Sequence, residues 1–96
     1  MSFDPTLLVL ASLADGDKHG YAMIDDIEAF AGVRLGPGTL YGAITRLEEA
    51  GWIRPLDADD RRRPYRLTAE GRRYLREQVA GLDQLLRTAR RRLKPA

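Results

Sequence analysis

Three consecutive arginines, Arg61, Arg62 and Arg63, follow the turn-forming run Asp57-Ala58-Asp59-Asp60 and precede Pro64. Guanidinium groups stay charged at physiological pH and grip phosphate oxygens two at a time. A second group with matching chemistry lies upstream: Pro37, Gly38, Thr39, Tyr41, Gly42, Thr45 and Arg46. Glycines there let a backbone approach a duplex. Threonine and tyrosine hydroxyls reach phosphates or a thymine methyl, and an arginine holds a phosphate or reads a guanine edge. This is the chemistry of polyanion recognition rather than of bond making.

The patterns that catalysis needs are absent from the sequence. There is no cysteine and His19 is the sole histidine, so no thiolate nucleophile and no multi-histidine metal site is expected. Ser2 and Ser12 have no triad partners in register. The Gly36-Pro37-Gly38 run lacks the Lys-Ser/Thr ending of a phosphate loop. Asp57, Asp59 and Asp60 do not have calcium-loop spacing. No enzymatic activity, metal or cofactor is expected. His19 reads as a residue at a helix start near a phosphate, or as simply exposed.

The elements that must position these residues can be read in order. Asp4-Pro5 is a helix start, and Leu7, Leu8, Leu10, Ala11 and Ala14 recur at helical spacing before Asp15-Gly16-Asp17 ends the helix. A second helix spans about Gly20 to Ala31, with Met23 or Ile24, Ile27 and Phe30 or Ala31 inward, and Gly32 as its stop. Val33-Arg34-Leu35 reads as a short extended segment, a minimal strand. The third helix starts at Gly36-Pro37; Leu40, Ala43 or Ile44, and Leu47 form its buried stripe, and Gly51 closes it. Its N-terminal half therefore presents the recognition residues outward, while Glu48 and Glu49 lie at the end that phosphates would repel. Trp52 to Leu56 and Pro64 to Leu67 read as the two strands of a hairpin tipped by the arginines, with Pro55 limiting its strand to an edge or marking its end. Trp52 reads as a core residue, and Tyr65 and Tyr74 as packing between hairpin and final helix.

Thr68 caps that final helix, with Glu70 in its first turn. Leu75, Val79, Leu82, Leu86, Ala89 and Leu93 alternate steps of four and three, an a/d seam longer than a helix lying on a small core requires. A partner helix, and hence a homodimer, is expected, with Leu85 widening the stripe. Gly71 suits close backbone packing, and Gly81 marks a candidate bend. The expected fold is mostly α with a small β-hairpin: a winged helix-turn-helix over residues 1–67 and a C-terminal dimerisation helix over 68–96.

Bulk properties agree. The chain has 96 residues and a net charge of +2. That charge is polarised: residues 1–33 hold six acids against one lysine, net −5, and residues 34–96 hold fifteen cations against eight acids, net +7. The basic excess coincides with the recognition segments and suits double-stranded DNA. No apolar run approaches the length of a membrane span and the N-terminus lacks a signal-peptide pattern, so a cytoplasmic location without a membrane partner is expected.

Three segments, HGYAM at 19–23, GTLYGAITRLEEAGWI at 38–53 and RRRPYRLTAEGRRYL at 61–75, resemble the PadR family of bacterial transcriptional regulators in its short form. The resemblance covers about Leu7 to Leu93. It implies a homodimer that binds an inverted-repeat operator as a repressor. Some relatives are released by phenolic or other planar hydrophobic effectors, so a small hydrophobic effector is a partner it implies. Thr39 and Tyr41 match the family's recognition-helix contacts, Gly20 and Tyr21 its second-helix start, and Arg61 to Arg63 its wing. Gly36 and Gly42 depart from the hydroxyl cap and the proline frequent at those places. The final helix has no tryptophan, so a ring-sandwich drug pocket is not implied. The competing reading is a winged-helix protein-interaction module without DNA binding, suggested by the acidic first third and the acids flanking the wing.

Overall fold

Asp4 takes an extended conformation and accepts the Thr6 N–H on Oδ1 at 3.0 Å, while Pro5 pre-sets the first turn. Helix α1 (Pro5–Leu13) follows from that cap. The computed structural model describes residues 3–57 and 62–95. A two-residue strand β1 (Lys18–His19) leads into α2 (Gly20–Ala31), which ends where Gly32 enters the left-handed region at φ 69°. Helix α3 (Pro37–Glu49) starts from Gly36 with no side-chain cap bond, so Pro37 alone organises its first turn. Strands β2 (Ile53–Pro55) and β3 (Pro64–Leu67) pair antiparallel, and α4 (Ala69–Leu93) completes the chain.

The core is a single cluster. Leu8, Val9, Leu10 and Leu13 of α1 meet Met23, Ile24 and Ile27 of α2 and Leu40, Ala43, Ile44 and Leu47 of α3, closed by Leu35, Ile53 and Leu67. Burying residues of this size contributes roughly 1.5–3 kcal/mol each before entropy is set against it. Three polar ties hold the layers in register. Ser12 donates to Asp26 Oδ2 at 2.7 Å, linking α1 to α2. Lys18 donates to the Ser12 carbonyl and to Asp15 Oδ1, each at 2.5 Å. Arg66 grips both oxygens of Asp17, the shortest contact being 2.7 Å, and so ties β3 to the loop before β1.

Three expectations need correction. Val33 to Leu35 form no strand; the segment is an irregular link whose Arg34 bonds back to Asp25 at 3.2 Å and Glu28 at 3.0 Å. The third strand is instead Lys18–His19, giving the sheet order β1-β3-β2 rather than a two-stranded ribbon. Two residues carry too little periodicity to signal a strand. Helix α4 is continuous through Gly81, so the helix is not interrupted there. Within α2, Ala31 is the half-buried residue and Phe30 is half-exposed.

Gly71 supplies the seat for α4. A Cβ there would meet the Trp52 carbonyl oxygen, with Leu67 Cδ1 and the Trp52 carbonyl carbon each at 2.8 Å. The start of α4 therefore lies directly on the backbone between α3 and β2. Thr68 secures the contact: its hydroxyl donates to the Gly51 carbonyl at 2.7 Å and accepts the Gly71 N–H at 3.0 Å. Tyr74 stacks on Trp52 with ring centroids 3.7 Å apart. Beyond this anchored turn α4 runs outward, and the chain reaches 60 Å along its longest axis.

Candidate nucleic-acid interface

The buried stripe of α3 fixes what its other faces display. With Leu40, Ala43, Ile44 and Leu47 in the core, Pro37, Gly38, Thr39, Tyr41, Thr45 and Arg46 are exposed and Gly42 is half-buried. Two of these side chains are already engaged. Thr45 donates its hydroxyl to the Tyr41 carbonyl at 2.9 Å. Arg46 folds back along the helix, its Nη1 lying 3.6 Å from where a Cβ on Gly42 would stand. A Cβ at Gly42 would make ordinary van der Waals contact with that guanidinium.

Tyr41 interlocks with the start of α2. Its hydroxyl and its Cζ lie over Gly20, and a Cβ at Gly20 would meet Cζ at 2.8 Å and Leu40 Cδ2 at 3.3 Å. Gly20 is buried by this contact, while its neighbour Tyr21 is 61% exposed. The two helices of the helix-turn-helix thus meet at a notch that only glycine leaves open.

The wing approaches the same place. Antiparallel pairing puts Tyr65 opposite Lys18 and Pro64 opposite His19. A cavity of about 340 Å³ results, lined by His19, Gly20, Tyr21, Tyr41, Arg62, Arg63 and Tyr65. Burial, then the nearby Glu48 and Tyr41, push the Tyr65 phenol above its ordinary pKa, against an opposing pull from Arg63. It therefore stays a neutral hydroxyl. Of the expected DNA-contact residues, the cavity gathers Gly20, Tyr21, Tyr41, Arg62 and Arg63 in one place. Pro37, Gly38, Thr39, Thr45 and Arg46 lie outside it, on the exposed surface of α3. Arg61 lies outside the described residues, as do Asp59 and Asp60.

Two further residues line it: Tyr65, and His19, which the sequence places at a helix start near a phosphate or exposed. Tyr65 is half-buried and packs against the core as well as lining the cavity, while Tyr74 stacks on Trp52. His19 caps α2, its Nδ1 accepting the Ala22 N–H at 3.3 Å. Its position one residue before a helix-opening glycine was the available signal, since that is where a side-chain acceptor serves best.

The residues of the expected dimer seam sit on the outer length of α4. Leu75 is half-buried against the chain's own core, and Ala89 is half-buried. Val79, Leu82, Leu86 and Leu93 are exposed, Leu93 to 81%, and Leu85 lies beside them at 61%. An apolar groove of about 480 Å³ runs along this face, where Phe3 and Leu7 oppose Tyr74, Leu82, Leu85 and Leu86. Among the described residues no helix is long and apolar enough to cross a membrane, and no cluster of potential metal ligands occurs.

Comparison with known proteins adds a lineage to this geometry. The profile of the Transcriptional regulator PadR-like family matches residues 9–77. The chain is 48% identical over 82 residues to a 37.1 kDa protein in transposon TN4556 of Streptomyces fradiae; the match covers 85% of this chain and 24% of that protein. The chain thus spans about a quarter of that relative's length. It is 36% identical over 85 residues to Transcriptional regulator Rv3488 of Mycobacterium tuberculosis, covering 84% of this chain and 78% of the other. The crystal structure of a PadR family transcriptional regulator from Eggerthella lenta superimposes with a TM-score of 0.81 at 31% identity, covering 95% of this chain and 82% of that one.

Proposed function

The chain belongs to the PadR-like family of transcriptional regulators, and on that premise we propose that it is a cytoplasmic homodimer that represses transcription from an inverted-repeat operator. Winged helix-turn-helix regulators of this kind bind DNA and are not enzymes. The observation that carries the finer reading is the convergence of α2, α3 and the wing on one donor-rich cavity, with the open surface of α3 beside it. In this reading the first turns of α3 enter the major groove. Thr39, Thr45 and Arg46 meet base edges or adjacent phosphates. Pro37, Gly38 and Gly42 keep the helix surface low. Tyr41, with Gly20 and Tyr21, seats against the sugar-phosphate backbone, and the wing arginines Arg61, Arg62 and Arg63 reach phosphates or the minor groove.

Leu75, Val79, Leu82, Leu86, Ala89 and Leu93 pair the copies in this proposal, making residues 68–96 the dimerisation helix and residues 1–67 the DNA-binding unit. The apolar groove between α1 and α4 borders the seam. A small planar hydrophobic or phenolic effector held there would change how the two copies pair.

Selection of bound sequences from random duplex DNA tests the whole reading. Enrichment of an inverted repeat with half-sites about 10 bp apart, or a multiple of that, is expected. Failure to enrich any sequence, together with no mobility shift at low salt, would overturn it in favour of a protein-interaction module. Replacing Arg61, Arg62 and Arg63 by alanine together should weaken binding to all duplexes and flatten the salt dependence by up to about 0.9 per lost phosphate contact.

A further inference from the structure

We propose that His19 is a DNA-backbone contact, donating its Nε2–H to a phosphate seated in the cavity between α2, α3 and the wing. The inference rests on the DNA-binding reading above and assigns a residue to it that the recognition helix and the arginine wing do not include.

Among the described residues, every polar side chain lining the cavity is able to donate. Tyr21, Tyr41 and Tyr65 carry hydroxyls, Arg62 and Arg63 carry guanidinium N–H groups, and no described carboxylate lines it. Tyr65 is held in its protonated, donating form by burial first and then by Glu48 and Tyr41. A site of this composition suits an occupant with several acceptor oxygens and negative charge, the chemistry of a phosphodiester.

The cap defines the state of the imidazole. Because Nδ1 spends its lone pair on the Ala22 N–H at 3.3 Å, the neutral ring carries its proton on Nε2. That hydrogen bond leaves Nε2 as the donating nitrogen of the neutral ring. Register reinforces the placement: His19 faces Pro64 across the β1–β3 pair, which follows directly on Arg63. The residue that caps α2 through Nδ1 is therefore also one that lines the cavity.

His19→Asn separates the two roles, because asparagine is a strong N-cap whose shorter side chain does not replace the imidazole N–H. The variant chain should keep its helical circular dichroism and melting temperature, yet bind a short random-sequence duplex roughly tenfold more weakly at mildly alkaline pH. The salt slope should stay as in the wild type, since a neutral donor releases no counterion, whereas removing an arginine contact would lower it by about 0.9. In the DNA-free protein, proton–nitrogen correlations of the sole histidine should report the Nε2–H tautomer. Unchanged affinity of His19→Asn overturns the inference alone, as does an Nδ1–H tautomer or a slope reduced by a full charge. A wild-type chain that binds no duplex at low salt overturns the DNA-binding reading and this contact with it.

Discussion

Gly71→Ala and Gly81→Ala exchange the same residue types in the same helix and should move stability in opposite directions. In an exposed helix interior the exchange stabilises by about 0.5–1 kcal/mol, because alanine loses less backbone entropy on folding. Gly81 meets that condition: it is exposed and a Cβ there would touch nothing within 4 Å. Gly71 does not. Its Cβ would run into the Trp52 carbonyl oxygen, a backbone atom that cannot rotate away, and into Leu67 Cδ1 at 2.8 Å. That carbonyl also accepts the Thr68 N–H at 3.0 Å, so retreat would strain the bond that starts α4. Overpacking against backbone lies at the upper end of its usual cost, and a strained hydrogen bond adds to it, so a net loss of about 3 kcal/mol is expected. For a domain of this size that corresponds to a fall in Tm of roughly 12–24 °C, against a rise of a few degrees for Gly81→Ala. Thermal unfolding followed by circular dichroism at one fixed protein concentration is the assay, because association would otherwise shift both midpoints. A Gly71→Ala variant as stable as Gly81→Ala would show that α4 is not seated on Trp52, and the seat and everything built on its direction would have to be abandoned.

Gly20→Ala should separate binding from stability: the added methyl meets the far end of the Tyr41 ring, which can swing aside, so the fold should lose under about 1 kcal/mol. Duplex affinity should nonetheless fall roughly tenfold as Tyr41 is displaced; wild-type affinity in a mobility shift would refute the notch. Leu82→Lys with Leu86→Lys should yield a monomer by sedimentation with poor operator binding, and a persistent dimer would remove the seam. The Asp17 carboxyl is held below its ordinary pKa, first by its hydrogen bonds from Arg66 and then by that arginine's charge. A depressed folded-state pKa contributes stability that is fully present above the unfolded carboxylate range near pH ~4 and is lost as pH falls through the folded value. The stability gap between wild type and Asp17→Asn should therefore close on acidification below about pH 4; a gap that is flat with pH would mean the bridge contributes nothing.

Most of the fold was legible because its boundaries are set by local chemistry. Asp4, Thr68, Gly32 and Pro37 each act within a turn of the chain, and each marks the element end that the sequence indicates. The buried stripe of α3 follows from a 3.6-residue period carried over several turns. The third strand was not legible for the complementary reason. Lys18–His19 is extended because it pairs with Pro64–Tyr65, more than forty residues away, and neither residue type prefers a sheet strongly. The cavity was only half legible. Tyr41 and the arginines announce themselves by type, whereas Tyr65 and His19 reach the site through that same long-range pairing.

The acidic first third of the chain, which would favour a protein-interaction surface over a DNA-binding one, has a different use in the folded molecule. Each of its six carboxylates meets a partner within the chain. Asp4 caps α1; Asp15 pairs with Lys18 and Asp17 with Arg66. Asp25 and Glu28 share Arg34, and Asp26 accepts from Ser12. None of the six lines the cavity at the start of α2. Most of these pairs are exposed, and such pairs contribute little stability individually. Their effect is on the distribution of charge: Arg34 and Arg66, from outside residues 1–33, offset part of that segment's net −5. A polyanion approaching the face where Tyr21, Tyr41, Arg62 and Arg63 meet encounters hydroxyl and guanidinium donors with no carboxylate among the described lining residues, although nearly half of the acids in the chain lie in the same third as the first helix that builds it. Reversing one of these arrangements tests the point. Arg34→Ala would release Asp25 and Glu28 on the outer face of α2, and the added negative field should slow duplex association at low salt and have little effect at high salt. An association rate unchanged at low salt would mean that local pairing does not shape the field at the interface.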